Sequence, residues 1–111
     1  MAKAALGALE LTILLAVVRL GDDAYGLSVR RDVSARTGRD YSVGAIYTTL
    51  ERLETKGFVT SRTTDPTPTR GGRSRRQFKV TASGQRAIRQ AERVARSVWD
   101  GVVTGPKPEP A

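Results

Sequence analysis

Three glycines, Gly21, Gly38 and Gly57, cut the first half of the chain into three segments that each carry a helical apolar pattern. A glycine just past the last periodic residue is a common helix stop. Helices this short are not stable alone, so their stripes must pack on one another in a small helical body. From Leu6 to Leu20, the residues Leu6, Leu9, Ile13, Val17 and Leu20 form one stripe, yet Leu11, Leu15 and Val18 are apolar too. A helix apolar nearly all round is buried on more than one side. In a chain of 111 residues the second side is expected to belong to another subunit. The second predicted helix, about Ala24 to Thr37, turns Leu27 and Val33 inward and Arg30, Arg31 and Arg36 outward. Asp22 or Asp23 is expected to N-cap it, which accounts for that acidic pair without acid/base chemistry. The third, Val43 to about Lys56, opens on Ser42 as its N-cap and sets Ile46, Leu50 and Leu53 at i, i+4 and i+7.

Past Gly57 the period changes. Phe58 to Thr63 and Arg75 to Thr81 read as short strands, the second with Phe78 and Val80 on one face and Gln77 and Lys79 on the other. The connection, "TDPTPTRGGRS", is too long for a tight hairpin turn and too rich in Pro and Gly for a further element, and long loops in small domains are usually functional. Thr81 is placed to cap a fourth helix, about Ala82 to Val102. Its residues Ile88, Ala91, Ala95, Val98 and Val102 fit a heptad seam with Trp99 beside it, which suits helix-to-helix pairing. "TGPKPEPA" closes the sequence as a disordered tail. The expected fold is therefore α+β and mostly α. Residues 1–81 form a winged helix-turn-helix of three helices and a two-stranded wing, residues 82–103 a C-terminal dimerisation helix, and residues 104–111 the tail.

Charge points to the partner. The net charge is +8, and it is unevenly placed. Residues 1–57 are nearly neutral, whereas Arg70, Arg73, Arg75, Arg76, Lys79, Arg86 and Arg89 lie in a stretch between Asp65 and Glu92 without one acid. A one-sided basic field favours a polyanion, nucleic acid or an anionic membrane. There is no cysteine and no histidine, which removes disulfides, zinc-finger chemistry and nearly all His-based catalysis. No enzyme, metal or cofactor is expected. The apolar run Leu11 to Val18 lacks a basic leader and a small-residue cleavage site. Broken by Glu10 and Arg19, it is also too short to span a bilayer, so the expected location is cytoplasmic.

The stretches "LGALELTILLAVVRLGDDAYG", "RTGRDYSVGAIYTTLERLETKGFV", "RGGRSRRQFKVT" and the "TASG" opening of the fourth helix resemble the PadR-like transcriptional regulators. The pairing of a G-x-I-Y-x-x-L-x-R-L helix with an R-G-G-R wing is fairly specific to that family. The resemblance implies a homodimeric repressor whose dimer is made by the first and last helices. The contributing residues would be Leu11, Leu15 and Val18 with Ile88, Ala91, Ala95, Val98, Trp99 and Val102. The single helix after the wing resembles the compact subgroup. In the family a hydrophobic effector sometimes binds at the dimer interface beside aromatics of the last helix. Here Trp99 either serves that role or packs across the dimer.

With the Ile46, Leu50 and Leu53 stripe inward, 100° per residue turns Gly44, Thr48, Glu51, Arg52 and Thr55 outward. Small residues at Gly44 and Ala45 would let the helix sink into a major groove, with Ser42 at its phosphate-facing N-terminus. Thr48 can meet a base edge or a thymine methyl, Arg52 a guanine or a phosphate, and Tyr47 a phosphate from the flank. Alternatively, Gly44 only relieves crowding against the second helix, and Arg52 only pairs with Asp40 or another nearby acid. In the wing, Gly71 and Gly72 keep the turn slim while Arg70 and Arg73 project cations. Arg75 and Arg76 alternate sides, so one of them suffices for DNA. Tyr25 resembles a phosphate-gripping position or is a packed aromatic. The competing function is a winged-helix module that binds an acidic protein partner. Such a module would expose an aromatic or aliphatic cluster where this helix exposes Gly, Thr and Arg.

Overall fold

The described residues form four α-helices and one antiparallel pair of strands: α1 (Ala8–Leu20), α2 (Gly26–Thr37), α3 (Val43–Thr55), β1 (Val59–Thr64), β2 (Arg75–Val80) and α4 (Ala82–Trp99). The structure, a computed structural model, describes residues 6–64, 75–103 and 105. A 3₁₀ turn, Gly21–Asp23, joins α1 to α2. The stripes predicted from sequence meet in one core, where Ile13, Leu14, Val17, Val29, Val33, Ile46, Leu50, Leu53 and Phe78 are sealed from solvent. Leu27 is not among them. It is half exposed, and Val29 and Val33 form the inward face of α2 instead.

α3 forms as its local signals require. Ser42 Oγ accepts the Ala45 N–H at 3.0 Å, and the chain leaves the helix through Gly57 at φ +82°, a left-handed conformation that favours glycine. α2 begins differently from the expectation. Neither Asp22 nor Asp23 caps it. The residue at the cap is Tyr25, in extended conformation, and its N–H is bonded back to Ser28 Oγ at 2.9 Å. Asp22 instead pairs with Lys79 at 3.2 Å.

That difference has a cause in the sheet. β1 and β2 pair from Val59↔Val80 to Thr64↔Arg75, and the other edge of β2 takes up the extended residues before α2. Tyr25 bridges Gln77, and the Phe78 N–H donates to the Ala24 carbonyl at 2.9 Å. Ala24 and Tyr25 are therefore held extended against β2 by a single bridge, which keeps them out of the helix. Gln77, expected on the exposed face, is buried by this pairing. Its amide is satisfied, donating to the Asp22 carbonyl at 2.6 Å and accepting from Arg62 Nε at 3.0 Å.

Two further contacts fix the body. Glu10 on α1 accepts from the Gly7 N–H at 2.8 Å and from Lys56 Nζ, just past α3, at 2.8 and 3.0 Å. Burial alone would raise its pKa, but these donors outweigh burial and hold the carboxyl below its ordinary value. At the other end Thr81 Oγ1 accepts the Gly84 N–H at 3.0 Å and donates to the Gly57 carbonyl at 2.7 Å. A Cβ on Gly84 would lie 2.2 Å from the Phe58 carbonyl oxygen, so the first turn of α4 sits directly on the end of the α3–β1 connection. α4 then ends at Trp99, short of the expected Val102, which lies beyond the helix.

Candidate nucleic-acid interface

Gly44 sits one residue into the first turn of α3 and is fully open. A Cβ built there would meet only the Ser42 hydroxyl, at 3.9 Å, so crowding against α2 is not the reason for glycine. Along the same face Thr48, Glu51, Arg52 and Thr55 are exposed, while Ala45 is half-buried at its edge. Asp40 is taken by Arg30, whose Nη2 lies 3.0 Å from it and whose Nε donates to the Tyr41 carbonyl at 2.6 Å. Arg76 holds Glu54 at 2.8 Å and Glu51 at 3.3 Å. Among the described residues no carboxylate lies within ion-pair distance of Arg52, although its charge helps hold the Glu10 carboxyl low, and Glu51 on the same face is engaged by Arg76.

Arg75 and Arg76 divide their roles as alternation along a strand demands. Arg76 turns inward over the Phe78 ring, at 5.3 Å, and ties β2 to α3 through the two glutamates. Arg75 is exposed, with its guanidinium carbon 4.8 Å from the centre of the Tyr25 ring. Tyr25 is thus a half-buried platform under a cation, fixed by its own bridge to Gln77. The sequence carried no local sign of this contact, because the two residues meet only through the bridge between Tyr25 and Gln77. Tyr47 packs in the same neighbourhood. Its ring lies so close over α2 that a Cβ on Gly26 would come within 2.2 Å of it, and its centroid is 6.4 Å from that of Phe78. Arg70, Gly71, Gly72 and Arg73, the expected wing tip, lie outside the described residues.

Away from this surface the expected dimer residues fall into two groups. Leu11, Leu15, Ile88, Ala91 and Ala95 are half-buried. Val18, Val98, Trp99 and Val102 are exposed, Val98 by 70% and Trp99 by 63%, and Val94 joins them although the heptad reading omitted it. The arginines of α4 occupy its opposite side: Arg86, Arg89, Arg93 and Arg96 follow a 3-4-3 spacing that keeps them on one ridge. No helix among the described residues is long and apolar enough to cross a membrane. No cluster of metal-ligating side chains occurs among them either.

Residues 14–90 match the profile of the Transcriptional regulator PadR-like family. The chain belongs to that family. Solved structures of the family share its fold. A PadR family transcriptional regulator from Eggerthella lenta is 26% identical with a TM-score of 0.63, over 85% of this chain and 83% of that one. A PadR-like transcription factor from Bacteroides fragilis is 20% identical with a TM-score of 0.69, over 85% of each chain. PadR of Bacillus subtilis, solved in complex with operator DNA, is 21% identical with a TM-score of 0.65, over 95% of this chain but 54% of that longer one. No curated protein matches the sequence. On α3 Gly44 is open and Thr48 and Arg52 are exposed, and on β2 Arg75 lies over the Tyr25 ring.

Proposed function

We propose that this PadR-like protein binds DNA sequence-specifically as a homodimer and represses transcription from an inverted-repeat operator. The observation that carries the reading is the open first turn of α3: Gly44 has no neighbour that requires a glycine, and Thr48 and Arg52 stand beside it exposed. Glycine costs a helix about 1 kcal/mol relative to alanine. Among the described residues nothing offsets that cost, but close approach to a groove floor would. Reading helices meet base edges with their N-terminal residues. Gly44 and Ala45 let the backbone come near, the helix N-terminus at Ser42 faces a phosphate, Thr48 and Arg52 address bases, and Tyr47 flanks them. Arg75, held on Tyr25, and the wing residues Arg70 and Arg73 supply backbone or minor-groove cations, with Gly71 and Gly72 keeping the tip narrow. The B. subtilis relative bound to operator DNA supports the reading.

The apolar residues left bare on α1 and α4 support pairing with a second copy, which would bury Val98 and Trp99. A two-fold dimer carries two reading helices, so its operator is an inverted repeat with half-site centres roughly 10 bp apart or a multiple of that. Bound there, in the cytoplasm, the dimer blocks access to the promoter. Selection of bound duplexes from a random library with the full chain tests the reading. The expected result is an enriched inverted repeat; no enrichment, or a single asymmetric site, would count against it.

A further inference from the structure

Outside α1, α4 and the residues following α4, two large apolar side chains remain exposed among the described residues: Leu27 by 50% and Val43 by 44%. Val43 is the first residue of α3, between Ser42, whose hydroxyl is engaged by the Ala45 N–H, and the open Gly44. Helix formation gives no reason for valine here, since it is a weaker helix former than alanine or leucine. A half-exposed isopropyl group also gains little in the free protein.

Accepting the proposed reading of α3, we infer that Val43 is a specificity-determining residue that recognises the 5-methyl group of a thymine in each half-site. Val43 lies three residues before Ile46, at the margin of the inward stripe and not on the face of Thr48, but from the first position of the helix its side chain leans toward the N-terminal end, where a reading helix meets base edges. The thymine methyl is the one apolar group presented there. Valine has neither donor nor acceptor, so against the polar edge of guanine, cytosine or adenine it would strip water from groups and leave them unpaired. Val43 therefore selects thymine both by contact and by the cost of the alternatives. Leu27 belongs to the first turn of α2, the helix that crosses the sugar–phosphate backbone in this arrangement, where base methyls are out of reach.

Uracil, which is thymine without the methyl, isolates the contact. With the full chain and the operator obtained by selection, each thymine is replaced in turn by uracil in both half-sites, and Kd is measured for the wild type and for Val43→Ala. Losing one buried methyl contact weakens binding about four-fold. The wild type should therefore lose on the order of ten-fold at one symmetric thymine position, two methyls being removed per operator. Val43→Ala, whose shorter side chain withdraws from the methyl, should lose less than about two-fold at that position, and its melting temperature should be no lower than that of the wild type. Uracil without effect anywhere, or an equal loss in Val43→Ala, would overturn the inference while leaving the operator reading intact. A wild-type chain that selects no sequence at all would overturn both.

Discussion

Replacing Gly44 by leucine puts a side chain into open space, since a Cβ at this position meets only the Ser42 hydroxyl, at 3.9 Å. Nothing in the fold resists it, and leucine is the better helix former by somewhat under 1 kcal/mol. For a domain of this size that gain corresponds to a rise of up to roughly 4–8 °C in melting temperature. Binding should move the opposite way. A leucine at the first turn holds α3 off the groove floor and removes the contacts of Thr48 and Arg52 together. At about 1–3 kcal/mol per base contact, the operator Kd should rise at least about 30-fold. Affinity for unrelated DNA should fall far less, because phosphate contacts from the wing remain. Thermal melts and operator titrations of this one variant, with Gly44→Ala as the milder step, test both halves. A Gly44→Leu protein that melts lower yet binds its operator as the wild type does would refute the reasoning.

Thr48→Ala should reduce the ratio of operator to non-specific binding by about 1–3 kcal/mol without altering the melt, measured by competition titration; unchanged discrimination would remove α3 as the reader. Tyr25→Phe keeps the ring under Arg75 and should bind DNA like the wild type, whereas Tyr25→Ala frees the guanidinium and should weaken all DNA binding alike. Loss in Tyr25→Phe would show instead that the hydroxyl itself grips phosphate. Val98→Asp sets a charge in the exposed α4 face and should yield monomers by light scattering, against dimers for the wild type at micromolar concentration. Hydrogen bonding to Arg19 and Arg36 holds the Asp32 carboxyl low, and Glu10 is held low against its own burial. Both groups thus stabilise the fold fully above about pH 4.5 and lose that effect as pH falls through their lowered values. Glu10→Gln should flatten the acid side of the stability–pH curve in urea titrations.

α3 was legible because everything that defines it is local: a serine cap, a 3-4 apolar stripe and a glycine stop within one stretch. The start of α4 was legible in the same way through Thr81. What escaped the sequence was the pairing of Ala24 and Tyr25 with β2, a contact across more than fifty positions in the chain. It keeps the expected helix start extended, leaves Asp22 and Asp23 outside the cap position, and buries Gln77, whose polar side chain in an alternating pattern had indicated solvent. Leu27 misled for a related reason. With α2 beginning two residues later, its buried face is set by Val29 and Val33. Of the candidate interface, the bareness of Gly44 and the exposure of Arg52 could be anticipated from helix geometry. That Gly44 meets no neighbour on α2, and that Arg52 is not paired with Asp40, became visible only in the structure, where Arg30 occupies Asp40.

If α3 reads sequence, charge alone does not account for binding. The direct test is a titration of the full chain, at physiological salt, against its selected duplex and a shuffled duplex of the same length and composition. Specific regulators bind their sites about 10³-fold or more tighter than other DNA, and the account predicts a preference of that order. Equal affinity for the two duplexes would contradict it and leave a basic protein held by phosphates.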